Sequence, residues 1–300
     1  MSDYKAGIES ESVTPQEGRI HQEDMENHHS HLNSNNRGDA LQRLRTAGSV
    51  TMSPELFEKL YLAPQNSVKG DLRRTFGNPT PICLAGFLLA ATPLSMVLLG
   101  WQGAGGLGAA NVGSYVFLGG VLEIVGAVLE WVLGNTFPAL VFSTFGGFWL
   151  TFASVMIPNF GAYAMYSTDS SDPAQGLTQP AFFATFSFFL VAMALLCCVY
   201  CVASLRTNVV FFLIFLTLIP TFGCLSASFF DAAHGRAATA LTLQHAGAAL
   251  LLVVSLLGWY IFLALVFLAV DFPLSLPLGD LSTVIKGAGD RARAKQAGDV

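Results

Sequence analysis

Residues 245–270 read HAGAALLLVVSLLGWYIFLALVFLAV, twenty-six positions without a Lys, Arg, Asp or Glu. A helix that is apolar on every side leaves no stripe for water, and at 1.5 Å per residue this one would be about 39 Å long, enough to cross a ~30 Å hydrocarbon core. The stretch therefore predicts a transmembrane helix. Working back toward the N-terminus, five more apolar blocks of membrane length follow, at roughly 208–229, 180–203, 138–157, 112–133 and 81–100. They are divided by Arg-Thr-Asn, Asp-Ser-Pro, Asn-Thr and Gly-rich connections and, before the last helix, by an Asp-His-Gly-Arg turn. The connection at Gly134–Pro138 is the shortest.

The whole chain agrees. It is 53% hydrophobic and 12% charged, about half the charge of an ordinary soluble domain, and carries 24 Phe. Of its fifteen Lys and Arg, nine precede Thr75 and four follow Ile285, leaving only Arg206 and Arg236 between. The sequence thus predicts an all-α integral membrane protein with six transmembrane helices, its first partner the lipid bilayer. The net charge of −5 and the absence of a basic patch exclude nucleic acid as a partner.

Four regions are expected. Residues 1–50, rich in Ser, Asn, Glu, Gln and His, bury too little apolar surface to offset their ordering entropy and form a disordered polar cytosolic tail. His21, His28, His29 and His31 lie within it and are read as solvated. Residues 51–77 form an amphipathic juxtamembrane segment, with Ser53-Pro54 as cap and first helical residue and Leu56, Phe57, Leu60 and Tyr61 at helical spacing. Residues 78–271 form the six-helix transmembrane domain and residues 272–300 a cytosolic C-terminal tail. An even number of spans puts both termini on one side, and the basic residues at the ends (Lys59, Lys69, Arg73, Arg74, Lys286, Arg291, Arg293, Lys295) make that side the cytosol. Arg236 is the one dissenter.

Ionisable groups within a span are functional candidates by default, which singles out Glu123 and Glu130 as proton-coupling candidates. They stand seven apart, two helical turns, so both face the same way. Neither has an intramembrane Lys or Arg as counter-ion. Asn78-Pro79-Thr80-Pro81 opens the first apolar block, where Asn caps, Pro is tolerated, and the remaining free N–H groups would face a cavity able to hold a carboxylate. Gly86, Gly119, Gly126, Gly146 and Gly147 allow helices to approach closely. Pro93 and Pro220 should kink or break their helices. Cys197, Cys198 and Cys201 cluster but lack a further ligand type, so no metal is assigned. No catalytic constellation and no cofactor motif is present; Gly103–Gly108 is glycine-rich but follows no strand, which removes a nucleotide reading.

The stretches FGNPTP (residues 76–81), the Gly119-Gly120 helix ending in Gly134-Asn135-Thr136-Phe137, and STFGGFWL (residues 143–150) resemble the acetate uptake transporter family, also called the succinate–acetate permease or GPR1/FUN34/YaaH family, in its fungal form. The likeness spans about residues 75 to 270. It implies a ring-shaped homohexamer in the plasma membrane, each protomer with its own pathway for acetate and related short monocarboxylates. It further implies a constriction at Phe87, Phe145 and Leu218, and an anion held at Asn78, Thr80 and Pro81. The chain departs from the signature Ala-Pro-Leu-Gly-Leu with Thr80-Pro81-Ile82-Cys83-Leu84, and has Phe145 where bacterial relatives often carry Tyr. An acetate or ammonia sensor, or an ammonia exporter, is the alternative.

Overall fold

The computed structural model describes residues 76–281 and Gly298, and among them six helices are long and apolar enough to cross a membrane. They are α1 Thr80–Leu98, α2 Gly106–Val132, α3 Thr136–Met156, α4 Pro180–Ser204, α5 Val209–Ala233 and α6 Ala237–Ala269. The expectations for the N-terminal tail, its histidines and the juxtamembrane segment as far as residue 75 lie outside the described residues, as does the stretch 282–297.

The ends of the helices follow from local chemistry. Pro180 starts α4 and costs nothing there, because a first-turn residue has no intrahelical acceptor for its N–H. Asn208 caps α5, its Oδ1 accepting from Phe211 N at 2.8 Å. The short α2–α3 connection is a clean stop and restart: Gly134, at φ +77°, closes α2, and Pro138 falls in the first turn of α3.

Of the kink or break expected at Pro93 and Pro220, no break occurs; α1 and α5 run through both prolines without interruption. Around Pro220, Thr217 and Thr221 donate their hydroxyls to Leu213 and Thr217 carbonyls at 2.8 Å, so side chains bond into the ladder on both sides of the proline. The sixth helix begins at Ala237 rather than His245. Its first two turns are polar but Ala-rich, and Gln244 donates to Leu98 O at 2.9 Å, pinning this extension to the end of α1. Arg236, the basic outlier, is paired with Asp231 through its Nε at 2.8 Å and through Nη2.

The helices pack as a sequence of neighbours, α3 on α2, α2 on α1, α1 on α6, α6 on α5 and α5 on α4. Between α3 and the α4–α5 pair, rings close the bundle. Phe148 stacks on Phe189 of α4 at 5.9 Å, Phe152 meets Phe186 at 6.3 Å, and Phe148 meets Phe222 of α5 edge-on at 5.4 Å. Glycines set the close crossings: a Cβ on Gly119 would stand 2.6 Å from Trp149 Cγ, and one on Gly86 2.5 Å from Leu118 O. After α6 the chain folds back over the α4–α5 turn. Val209 N donates to Gly279 O at 2.8 Å, Leu281 N to Thr207 O at 3.0 Å, and Tyr260 Oη to Pro277 O at 2.8 Å, with Leu278 buried beneath.

Candidate constriction and carboxyl sites

Phe87 of α1 and Phe145 of α3 face each other edge to face inside the bundle, centroids 6.1 Å apart at 81°. Both are buried, as is Leu218 of α5. The family resemblance implies these three as a constriction; in the structure all three belong to the buried core. The structure adds Phe222, one turn beyond Leu218, whose ring lies 6.5 Å from Phe145. Phe222 was missed in sequence, although its i+4 spacing from Leu218 puts it on the same helix face. Gly258 of α6 closes the opposite side: a Cβ there would lie 2.8 Å from Leu88 Cδ2 and 4.0 Å from Phe87 Cε1.

The two glutamates face α1, as their spacing predicts, but in different company. Glu123 is 1% exposed, and among the described residues neither of its oxygens has a hydrogen-bond partner. It follows the π-helical stretch Tyr115–Leu122 and abuts Gly86, the residue before Phe87; a Cβ on Gly86 would come within 3.2 Å of Glu123 N and 3.4 Å of its Cβ. A wide π turn re-aims the residue that follows it, and such turns recur at functional sites. Glu130 is bound on both oxygens: Thr80 Oγ1 donates to Oε1 and Asn135 Nδ2 donates to Oε2 at 2.5 Å. Asn135 N also donates to Glu130 O at 2.9 Å. This carboxyl therefore clasps the start of α1 to the α2–α3 turn.

The opening turn of α1 differs from the sequence expectation of free N–H groups. Thr80 N donates to Asn78 Oδ1 at 3.0 Å, and Ile82 and Cys83 N donate to Pro79 O at 2.9 and 3.3 Å. Pro79 and Pro81 have no N–H to offer. With the Thr80 hydroxyl given to Glu130, the amide of half-buried Asn78 is the donor left at this turn.

Farther along the bundle, Tyr115 stacks on Trp149 with centroids 5.4 Å apart at 19°, and Trp149 in turn meets Phe87 at 6.5 Å. Sequence reading singled out neither ring. Among the described residues no group of three His, Cys, Asp or Glu side chains is placed to hold a metal ion.

The family model described as GPR1/FUN34/yaaH family matches residues 62–282, the entire bundle included. The chain belongs to the GPR1/FUN34/yaaH family. Its relatives include protein alcS of Aspergillus fumigatus, 44% identical over 234 residues that cover 78% of this chain and 86% of the relative. The ammonia transport outward protein 2 of Saccharomyces cerevisiae is 29% identical, covering 74% and 76%. The acetate transporter protein patA of Aspergillus clavatus is 32% identical, covering 69% and 79%. The solved structure of the bacterial acetate channel SatP superposes with a TM-score of 0.52 at 22% identity, covering 68% of this chain and 99% of that one, and shows the same fold. This GPR1/FUN34/yaaH member is thus a multi-pass membrane protein whose six helices carry the family's bundle.

Proposed function

We infer that this protein moves acetate and related short-chain monocarboxylates across the plasma membrane, with both termini in the cytosol and protomers assembled as a homohexamer. The observation that carries the reading is the edge-to-face contact of Phe87 and Phe145 at mid-bundle. A solute crossing between these rings must be small and present an apolar end, as a short monocarboxylate does with its methyl group. Leu218 and Phe222 supply the same apolar wall from α5. At the end where α1 begins, Asn78 with Thr80 and Pro81 forms the waiting position for the carboxylate. Asn78 Nδ2 is the donor, while Thr80 fixes the turn through Glu130.

Glu123 is assigned to proton coupling in preference to Glu130. Its oxygens have no competing partner, and it sits one residue along the α1 surface from the Phe87 gate, so a proton arriving there can be felt at the constriction. Glu130 would have to give up two hydrogen bonds to do the same work.

The deciding experiment is radiolabelled acetate uptake into proteoliposomes under an inward acid gradient, with ammonium flux measured in parallel. Uptake above empty vesicles, reduced by unlabelled propionate, is the expected result. Ammonium flux without acetate uptake would replace this reading with ammonia export, the activity named for the yeast relative.

A further inference from the structure

Buried polar atoms are nearly always hydrogen-bonded, so those that are not ask for a reason. Within the membrane spans, three of the described residues carry buried side-chain polar atoms that no partner meets at good hydrogen-bond geometry, Tyr115, Glu123 and Trp149, and of these only the Tyr115 hydroxyl has a hydrogen-bonding side chain beside it, that of Asn111. Elsewhere in the core the hydroxyls are satisfied, Ser187 with Ser226 at 2.8 Å, Ser228 on Ala240 O at 2.7 Å and Ser255 on Leu251 O at 3.0 Å. The three exceptions are not scattered. They lie where α1, α2 and α3 meet, on the same side of the bundle as the gate ring Phe87.

Glu123 has its role above. Tyr115 and Trp149 are stacked on each other, and Gly119 leaves room for the indole, since a Cβ there would stand 2.6 Å from Cγ and 2.8 Å from Cδ1. The Tyr115 hydroxyl lies beside Gly108, in the opening turn of α2 at the end of the bundle opposite the start of α1. One donor is thus close to that mouth and the other borders Phe87.

We propose that the Trp149 indole N–H and the Tyr115 hydroxyl form a donor pair that receives the carboxylate of a small monocarboxylate between the far mouth and the Phe87–Phe145 constriction. The proposal rests on the transport reading and gives it a binding position. Two neutral donors satisfy the two oxygens of a carboxylate, while the aromatic surface of Phe87 takes its methyl group. No Lys, Arg or His belongs to the pair. A pathway needs this weakness, because a fixed cation in a dry site would hold the anion too firmly to release it.

The test uses the full chain in lipid nanodiscs with Trp101, Trp131 and Trp259 replaced by Phe, so that Trp149 is the sole indole. Sodium acetate should change its emission saturably, while acetamide and sodium chloride at equal concentration should not. In proteoliposomes, Trp149→Phe and Tyr115→Phe each keep a ring and remove one donor, and each should raise the acetate KM about tenfold with melting temperature retained. Unchanged KM in both variants, or a Trp149 emission blind to acetate in protein that transports it, overturns the donor pair and leaves the transport reading standing. Wild-type vesicles that take up no acetate sink the transport reading instead, and the donor pair with it. If Trp149→Phe does not insert, Tyr115→Phe and the emission titration decide.

Discussion

Gly86→Ala adds a single carbon at a close crossing of α1 and α2, where the new Cβ would stand 2.5 Å from Leu118 O and 3.2 Å from Glu123 N. Both obstacles are backbone atoms, which cannot rotate aside as a flexible side chain can. The two helices must separate by several tenths of an ångström, and overpacking of this kind costs about 1–3 kcal/mol. Alanine returns up to about 1 kcal/mol of helix propensity, so a net loss of up to about 2 kcal/mol remains, a fall in melting temperature of up to roughly 5 °C for a domain of this size. Gly147→Ala and Gly223→Ala are the controls, because a Cβ at either meets nothing within 4 Å. They should melt with the wild type or slightly above it. The assay is thermal unfolding of the purified protein in one detergent, paired with acetate uptake. Since Gly86 precedes Phe87, uptake should fall in Gly86→Ala and hold in the controls. A Gly86→Ala protein that melts and transports like the wild type would refute both the packing of α1 on α2 and the placement of the gate.

Three further outcomes are expected. Thr80→Val removes the hydroxyl that Glu130 accepts from, and should destabilise by about 1–3 kcal/mol in the same melting assay, with Thr80→Ser largely restoring it. Phe145→Ala empties one side of the constriction; it should cost about 3–5 kcal/mol of stability and raise butyrate uptake relative to acetate in a competition assay. Glu123→Gln preserves shape in a site where the carboxyl makes no hydrogen bond, so melting should shift by less than about 1 kcal/mol. The stimulation of uptake by an acid gradient should nevertheless disappear; a persisting stimulation removes Glu123 from proton coupling.

Much of the architecture is legible in sequence because hydrocarbon imposes one rule, that backbone groups be bonded within the segment, and twenty apolar residues satisfy it only as a helix. The limits of that reading show at α6. Hydropathy marks where lipid ends, near His245, but Ala237–Leu241 keep forming helix beyond it, since helix propensity does not depend on burial. Sequence left a kink or a break open at Pro93 and Pro220; both helices continue, and around Pro220 neighbouring hydroxyls bond into the ladder on either side. Among site residues, the separation of Glu123 from Glu130 was only partly legible: the place of Glu130 near the helix end ranks it below Glu123, but its partners are not in the pattern. Both are glutamates in one apolar helix, and only Thr80 and Asn135, fifty residues before and five after Glu130, distinguish the clasped carboxyl from the unpartnered one. Tyr115 and Trp149 escaped notice for a related reason: an aromatic in an apolar run reads as packing until its polar edge is found without a partner.

The return of the chain across the α4–α5 turn bears on biosynthesis. Thr207 and Val209, at the head of the fifth helix, take as partners Leu281 and Gly279, which leave the ribosome some seventy residues later. That turn cannot reach its final hydrogen bonding until the sixth helix has been inserted, so an intermediate halted after five spans carries an unfinished end. A stop codon placed just after Ala269 would leave all six helices present and still strip this seal, leaving the Val209 N–H and the Thr207 carbonyl without these partners and open to the quality-control machinery that surveys membrane proteins.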